Sequence, residues 1–249
     1  MSKPYFSIII PTLNEEKRLP LLLSDLKKQT EKNFEVIIVD GQSDDLTQKI
    51  AKSWQKQLPL KLISTTTHNV SFQRNLGTKS ATADRVLFMD ADNRLSNFFL
   101  AEYKKGVEKE KPDIATTMVG PETKSISDIL GAGAINLHII LTKFSRRPFI
   151  MEAVISFKKN VFEKLGGFDA SLPCAEGGDI VARALKKGYK LAIFSKPTYA
   201  YSLRRAKKQG IIKTAINVAI LETTRLLGIK LSKEKLCQLY PMNGGKFYD

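Results

Sequence analysis

The first half of the chain alternates between segments that are typical of buried strands and segments that are typical of helices. Continuous apolar runs rich in β-branched and aromatic residues indicate strands covered on both faces. Apolar residues at helical spacing, such as the leucines of 19–26, separate these runs. The predicted strands are 6–10, 34–39, 60–63 and 85–89, and the predicted helices are 19–26, 44–54 and 71–83, the second capped by Asp44 or Asp45. This order predicts a parallel sheet with right-handed crossovers.

The second half of the chain is less regular. Its predicted strands are 113–118, 149–157 and 189–194, and its predicted helices are 127–144, 160–165, 178–187 and 209–227. Gly166, Gly167, Phe168 and Asp169 form a predicted turn between two of these helices. We expect the last dozen residues to be poorly ordered.

The net charge of the chain favours one class of partner, and its cysteine content indicates the cellular compartment. The formal net charge of +15 favours anionic partners. Cys174 and Cys237 are far apart and lack metal-ligand spacing, so we expect reduced thiols in a cytosolic protein. No apolar run has the length of a membrane span, and the N-terminus does not resemble a signal peptide. We therefore expect a protein of the cytoplasm or of the cytoplasmic face of a membrane.

Acidic and hydrogen-bonding residues follow three of the predicted strands, where open parallel sheets bind ligands. Pro11, Thr12 and Glu15 follow the first strand, and Asp40 ends the second. A carboxylate at Asp40 can accept hydrogen bonds from a base or a ribose and has no obvious structural duty, because Asp44 or Asp45 already caps the next helix.

The segment Asp90-Ala91-Asp92 follows the predicted strand 85–89. Mg²⁺ and Mn²⁺ prefer carboxylate oxygens and share them with substrate phosphates, which need positive charge when a diphosphate departs. An isolated Asp-x-Asp is equally consistent with a capped loop. Arg74 lies on a helix that starts at the same edge and is expected either to fork onto a phosphate, to pair with Asp40, or to lie on the surface.

The order of these motifs resembles the family 2 glycosyltransferases of GT-A fold, over about 6–205. The matching motifs are Pro11-Thr12-x-Asn14-Glu15, Val39-Asp40-Gly41-x-Ser43-x-Asp45, Arg74-Asn75-x-Gly77, Phe88-Met89-Asp90-Ala91-Asp92, Gly166-Gly167-Phe168-Asp169, Glu176 with Asp179 and Arg183, and Gly188-Tyr189. The resemblance implies an α/β fold with a Rossmann-like, mostly parallel central sheet flanked by helices. We predict a donor-binding half at 1–112, an acceptor-binding half at 113–205 and a C-terminal amphipathic helix and tail at 206–249.

The resemblance also implies an inverting transfer of sugar from a UDP- or GDP-type donor to an acceptor hydroxyl, such as that of a lipid-linked or cell-envelope glycan. Mn²⁺ or Mg²⁺ would assist, with Asp92 as the direct ligand and Asp90 near the ribose and the metal. The implied donor-binding residues are Pro11, Thr12, Glu15, Asp40, Arg74 and Asp90. In some relatives a Ser-x-Arg-Arg element lies near the diphosphate; here that element holds Arg204 and Arg205, for which a basic surface turn is the alternative.

The acceptor-side motif departs from the resemblance. Many relatives have Glu-Asp there, with the aspartate as catalytic base, whereas this chain has Glu176-Gly177-Gly178-Asp179. Asp179 can pair with Arg183 four residues later and lies in a helix first turn, so it has a structural explanation. Glu176 precedes two glycines that would let the backbone approach the substrate, so we predict Glu176 as the base and Asp179 as the alternative.

The final predicted helix has a wide apolar side flanked by lysines and an arginine, and 129–144 followed by Arg146-Arg147 has a similar character. Such helices can lie on an anionic membrane, or pack on the sheet or a second subunit. The helix residues are Ile211, Ile212, Ala215, Ile216, Ala219 and Ile220, flanked by Lys207, Lys208, Lys213 and Arg225.

Three other functions stay open. A degenerate domain of this fold would bind sugar nucleotide without transfer, and Gly177 gives a reason to consider it. A basic nucleic-acid-binding protein would need a basic stripe with aromatic platforms or a recognition helix, and neither is evident. A nucleotidyltransferase would need a glycine-rich, lysine-containing loop near the N-terminus, which is missing. Nothing in the sequence indicates the oligomeric state.

Overall fold

The computed structural model describes residues 3–172, 176–229 and 231–239. Its strands are β1 Phe6–Thr12, β2 Phe34–Asp40, β3 Leu60–Ser64, β4 Arg85–Met89, β5 Ile114–Pro121, β6 Val154–Lys158 and β7 Leu191–Tyr201. Its helices are α1 Leu19–Lys27, α2 Thr47–Trp54, α3 Val70–Lys79, α4 Phe99–Glu110, α5 Ile126–Thr142, α6 Lys159–Lys164, α7 Glu176–Lys186, α8 Arg204–Gln209, α9 Ile211–Leu227 and α10 Lys233–Leu239.

The seven strands form one sheet in the order β3-β2-β1-β4-β6-β5-β7. Strands β1 to β4 are parallel to one another, which confirms the prediction for the first half. Strand β6 lies between β4 and β5 and runs antiparallel to both, whereas β5 and β7 are parallel. The predicted mostly parallel α/β sheet flanked by helices is thus confirmed. Because β6 is reversed, it begins at the edge where β4 ends.

Both faces of the sheet are covered, which explains the continuous apolar runs. Successive side chains of a strand point to opposite faces, so Ile8 and Ile10 pack with the leucines of α1 while Ile9 packs with Phe88 and Phe162 on the other face. Helix α3 approaches β1 so closely that a Cβ added at Gly77 would lie 2.5 Å from Cγ2 of Ile9. The glycine therefore brings the Arg74 helix onto the sheet.

Several boundaries differ from the sequence predictions. The predicted strand 149–157 is a strand only from Val154, because backbone groups before it bind side chains: Phe149 N donates to Thr142 Oγ1, and Ala153 O accepts from Asn93 Nδ2. The predicted helix 71–83 ends at Lys79. The predicted helix 209–227 is divided between α8 and α9 by Gly210, whose φ is +92°.

Three other predictions concern the helix cap and the chain ends. Helix α2 begins at Thr47, and its N-cap residue is Leu46, without a side-chain capping hydrogen bond, so the predicted cap at Asp44 or Asp45 was wrong. Asp45 instead accepts hydrogen bonds from the N–H and the Oγ1 of Thr47. Cys174 and residues 240–249 lie outside the described residues, and Cys237 is a free, exposed thiol. The predicted division into 1–112, 113–205 and 206–249 stays a prediction; strands of the first two parts share the one sheet.

Candidate active site

The carboxyl ends of β1, β2 and β4 lie side by side at one edge of the sheet. Thr12 at the end of β1 pairs in register with Asp40 at the end of β2, and β4 adjoins β1 on its other side. The segment Asp90-Ala91-Asp92 follows β4 directly. The three motifs after the parallel strands therefore meet at the same edge, as the sequence predicts.

Asp40 is completely buried and holds the loop after β2 in place. Its carboxylate accepts hydrogen bonds from Thr12 Oγ1 at 3.0 Å, Ser43 N at 2.9 Å, Ser43 Oγ at 2.6 Å and Gln48 Nε2 at 2.8 Å. These bonds use the capacity of about four lone pairs that a carboxylate offers. The inference that Asp40 lacks a structural duty was wrong, because its partners come from loops that sequence patterns do not bring together.

The loop after β1 is joined to the loop after β2 by further hydrogen bonds. Glu15 N donates to Thr47 Oγ1 at 2.7 Å, and Gly41 N donates to Thr12 O at 2.9 Å. The side chain of Gln73 donates to Thr12 O at 2.9 Å and to Val39 O at 2.8 Å. Pro11 and Thr12 are buried beneath these loops. The predicted donor-binding residues of both loops thus belong to one braced structure.

Arg74 is the centre of the site, and its side chain is only 2% exposed. Its Nη2 donates to Asp90 Oδ1 at 2.8 Å, and its Nη1 donates to Glu176 Oε1 at 2.8 Å. The guanidinium carbon lies 5.4 Å from the centre of the Phe168 ring, in cation–π range. Burial disfavours the charge of Arg74, but Asp90, Glu176 and Glu152 raise its pKa. Of the alternatives for Arg74, the pairing with Asp40 and the surface position were wrong, because Arg74 is buried and binds acids from three other segments.

Glu152 is an acid of this site that the sequence analysis missed. Its Oε1 accepts hydrogen bonds from the first-turn amides of α7, Gly177 N at 2.8 Å and Gly178 N at 3.3 Å, and its Oε2 lies 3.9 Å from Arg74 Nη1. Burial raises the pKa of the Glu152 carboxyl well above its usual range, and the Glu176 carboxylate raises it further against the effect of Arg74. A single acid within the apolar run 149–157 was the available signal.

Glu176 and Asp179, the two predicted bases, have different surroundings. Glu176 is the first residue of α7, and its side chain is 3% exposed and bound to Arg74. Asp179 forms the predicted ion pair with Arg183 at 2.8 Å. Arg183 also donates to the carbonyls of Leu165 and Gly167, so this pair fastens α7 to the glycine turn. The amides of the two glycines after Glu176 bind Glu152, and the approach of this backbone to a substrate stays a prediction.

Asp90 and Asp92 form the acidic pair expected at a metal. Asp92 Oδ2 lies 3.6 Å from Arg204 Nη2. Burial raises the pKa of Asp92, the Asp90 carboxylate raises it further, and Arg204 and Arg18 oppose the shift. The Asp90 and Asp92 carboxylates repel each other, and a bound cation would relieve this repulsion. Within the described ranges, no group of three or more His, Cys, Asp or Glu residues could hold a metal alone, but Mg²⁺-type sites commonly combine one or two carboxylates with substrate phosphates. The residues present therefore fit a shared site.

A basic cavity of about 420 Å³ lies beside Asp92, and it is lined by Arg18, Glu122, Arg204, Lys207 and Lys208. Arg18 pairs with Glu122 at 3.0 Å, and Lys207 pairs with Asp128 at 2.6 Å. The side chain of Arg205 lies outside the described residues. Three of the lining residues belong to α8, and the cavity has the charge to receive an anionic group.

Comparison with known proteins gives a consistent family. The model of the family described as Glycosyl transferase family 2 matches residues 7–163. The poly(ribitol-phosphate) beta-N-acetylglucosaminyltransferase TarS of Staphylococcus aureus is 33% identical over 237 residues, which cover 91% of this chain and 40% of TarS. A PGL/p-HBAD biosynthesis glycosyltransferase of Mycobacterium tuberculosis is 31% identical over 172 residues, covering 68% of this chain and 65% of the relative. The chain thus spans less than two thirds of the length of these curated relatives.

Two solved structures have the same fold. The structure of S. aureus TarS 1–349 in complex with UDP-GlcNAc has a TM-score of 0.60 and 21% identity, covering 94% of this chain and 70% of the other. The mannosyltransferase PcManGT of Pyrobaculum calidifontis, in complex with GDP-Man and Mn²⁺, has a TM-score of 0.64 and 21% identity, covering 82% of this chain and 58% of the other. At these identities the likeness establishes the fold.

Proposed function

Because the chain belongs to glycosyl transferase family 2, we propose that it transfers a sugar from a nucleoside diphosphate sugar to an acceptor hydroxyl, with inversion at the anomeric carbon. The observation that carries this proposal is the group of acids around the buried Arg74, at the edge where β1, β2 and β4 end. The names of TarS with UDP-GlcNAc and of PcManGT with GDP-Man support a donor of UDP or GDP type.

The donor would lie across the ends of β1, β2 and β4. The loops that contain Pro11, Thr12, Glu15 and Asp40 would hold the nucleoside. Asp90 and Asp92 would hold Mn²⁺ or Mg²⁺ together with the diphosphate, and the Mn²⁺ in the PcManGT complex supports this assignment. When bound, such an ion neutralises the charge that the departing diphosphate gains. Arg204 beside Asp92, and Arg205 after it, would add positive charge near the same phosphates.

Transfer would occur in one displacement. A protein carboxylate takes the proton of the acceptor hydroxyl, the hydroxyl oxygen bonds to the anomeric carbon, and the bond from that carbon to the diphosphate oxygen breaks with its electron pair on the diphosphate. Arg74 fixes the carboxylates of Asp90 and Glu176 through charge-assisted hydrogen bonds. Pre-positioned groups of this kind lower the barrier because they need no reorganisation during the reaction.

The acceptor would be a glycan or a lipid-linked glycan of the cell envelope. The names of the relatives, which include poly(ribitol-phosphate) and PGL/p-HBAD biosynthesis, support this class. The basic cavity lined by Arg18, Arg204 and Lys207 would suit an acceptor that carries phosphate or carboxylate groups.

Contact with an anionic membrane surface is the further partner that we propose. No helix among the described residues is long and apolar enough to span a bilayer. Helix α5 and Phe144, which lies two residues after its end, nevertheless expose a large apolar surface. Ile216 and Ile220 of α9 are also exposed. The exposed side chains of α5 and its end are Ile126, Ile129, Leu130, Leu137, Ile140, Leu141 and Phe144. The side chains of Ile211, Ile212, Ala215 and Arg225 lie outside the described residues.

Vesicle flotation tests the membrane proposal. Lysines and arginines near these helices would favour the anionic cytoplasmic leaflet, by about 1 kcal/mol for each basic residue at the surface. We expect the protein to float with phosphatidylglycerol vesicles at low salt and Leu130→Glu/Leu141→Glu to stay in the bottom fraction. Phe98→Glu, at an exposed apolar residue before α4, is the matched control. Equal flotation of both variants, or none of the parent, would contradict the proposal.

A thermal-shift screen tests the proposed function. Specific donor binding stabilises the native state by about 2.7 kcal/mol at a hundredfold excess over Kd. We expect UDP-GlcNAc or GDP-mannose to raise the melting temperature with Mn²⁺ present, and release of UDP or GDP to follow. Donor binding without release would favour a degenerate domain, and no binding by any sugar nucleotide would contradict the proposal.

A further inference from the structure

The space that a side chain at Gly177 would occupy is filled by the carboxyl group of Glu152. A Cβ added at Gly177 would lie 2.5 Å from Cγ, 2.9 Å from Cδ and 3.0 Å from Oε1 of Glu152. Real Cβ atoms do not approach other heavy atoms within 3.0 Å. A side chain at position 177 would therefore force the Glu152 side chain away from the place it occupies at the start of α7.

We propose that the Glu152 carboxylate is the general base of the glycosyl transfer, and that Gly177 is glycine in order to admit it. This inference rests on the proposed function and assigns its proton transfer to a residue 25 positions earlier in the chain than Gly177. A side chain from the loop before β6 thus supplies the acid that position 177, in the first turn of α7, does not carry.

The partners of the neighbouring acids favour Glu152, although Asp179 is the more exposed at 36%. Glu176 is 3% exposed and bound to Arg74 at 2.8 Å, and Asp179 is bound to Arg183 at 2.8 Å. Asp90 and Asp92 are the acids that fit the cation and the diphosphate. Glu152 is 22% exposed, and its Oε2 lies 3.9 Å from Arg74 Nη1, beyond hydrogen-bond distance. The side chain is therefore partly exposed, and its carboxyl group is not held by a short bond to the arginine.

The other oxygen of Glu152 is held firmly, which would aim the carboxyl group. Oε1 accepts from Gly177 N at 2.8 Å and from Gly178 N at 3.3 Å, at the positive end of the α7 dipole. The next residue, Ala153, accepts hydrogen bonds through its carbonyl from Asp90 N at 3.1 Å and from Asn93 Nδ2 at 2.6 Å. Glu152 is therefore fixed beside the segment that would hold the donor diphosphate.

The proposed step balances without a further reagent. Glu152 accepts the hydroxyl proton as the acceptor oxygen bonds to the anomeric carbon, and the diphosphate leaves with the electron pair of the broken bond. The protonated carboxyl group then loses its proton to solvent through its exposed side. General-base catalysis of this kind contributes about 10²–10⁴-fold to the rate.

The test compares five variants in release of UDP or GDP, with water and with a panel of alkyl glycosides as acceptors. Glu152→Gln keeps an oxygen for the two glycine amides but cannot take a proton, so we expect kcat to fall about 10²–10⁴-fold with the KM for donor unchanged. Glu163→Gln, an exposed glutamate of α6, is the control and should keep full activity. Gly177→Asp alone should destabilise the fold, because its Cβ has no space.

The decisive variant is Glu152→Ala/Gly177→Asp, which moves the carboxyl group from one residue to the other. We expect it to recover activity about tenfold or more over Glu152→Ala, since a base effect of 10²–10⁴-fold leaves that much to regain. A role of Glu152 limited to capping α7 would give no such recovery. Glu152→Gln with parental kcat, or a double variant no more active than Glu152→Ala, would overturn the assignment. A parent that neither binds nor cleaves any sugar nucleotide would instead overturn the proposed function on which the assignment rests.

Discussion

Replacing Arg74 by methionine should cost about 3–5 kcal/mol of unfolding free energy, because it leaves buried carboxylates without their counter-charge. Glu176 is 3% exposed, and its ion pair is the 2.8 Å contact with Arg74. Asp90 is 38% exposed, so water can solvate its carboxylate when Arg74 is replaced. Most of the loss should therefore come from Glu176. Since a domain has about 5–15 kcal/mol in total, the variant should be only marginally stable.

Urea unfolding at pH 7, monitored by the fluorescence of Trp54, measures this loss. Arg74→Met/Glu176→Gln removes both charges and should recover a large part of it, since buried pairs replaced together often cost little. Asp84→Asn is the control: Asp84 pairs with Lys3 at 2.6 Å, but the two side chains are 90% and 56% exposed, so its effect should be below about 1 kcal/mol. A loss below about 1 kcal/mol in Arg74→Met, or additive losses in the double variant, would refute the reasoning.

Three further predictions concern individual side chains. Because the pKa of Glu152 is raised in the folded protein, folding favours the protonated form of this carboxyl group. The native state therefore loses stability as the pH rises from the unfolded pKa towards the folded one. Glu152→Gln should melt at a higher temperature than the parent at pH 8 and at the same temperature near pH 4, and a lower melting temperature at pH 8 would contradict this. Gly77→Ala should cost about 1–3 kcal/mol in urea unfolding, because its Cβ would lie 2.5 Å from Ile9 Cγ2, and an unchanged midpoint would show that α3 can move away. Asp92→Asn should abolish the part of the donor-induced thermal shift that requires Mn²⁺, and retention of that part would exclude Asp92 as a ligand.

The parallel half of the fold could be predicted because its signals are local. Continuous apolar runs at β1, β2 and β4 indicate strands buried on both faces, and the residues after them must lie at one edge once the strands are parallel. The position of Asp40, Asp90 and Asp92 at one edge of the sheet could therefore be predicted from the sequence. The ion pair of Asp179 with Arg183 was predictable for the same reason, since residues four apart on a helix are neighbours.

The acids around Arg74 could not be paired from the sequence because their contacts are long-range. Arg74 and Glu176 are 102 positions apart, and nothing in the periodicity of α3 or α7 indicates that they meet. Glu152 was missed because an apolar run does not reveal the direction of its strand. With β6 antiparallel, the residue pair Met89 and Val154 lies at the functional edge, and the loop before β6 enters the site.

A crystal structure with UDP-GlcNAc or GDP-mannose and Mn²⁺ bound would test the central claim most directly. We expect the diphosphate and the ion at Asp90 and Asp92, and the Glu152 carboxyl group facing the anomeric carbon across a gap that fits one hydroxyl group. A donor bound away from the ends of β1, β2 and β4, for instance in the cavity of about 390 Å³ between Gly106 and Lys143, would contradict it.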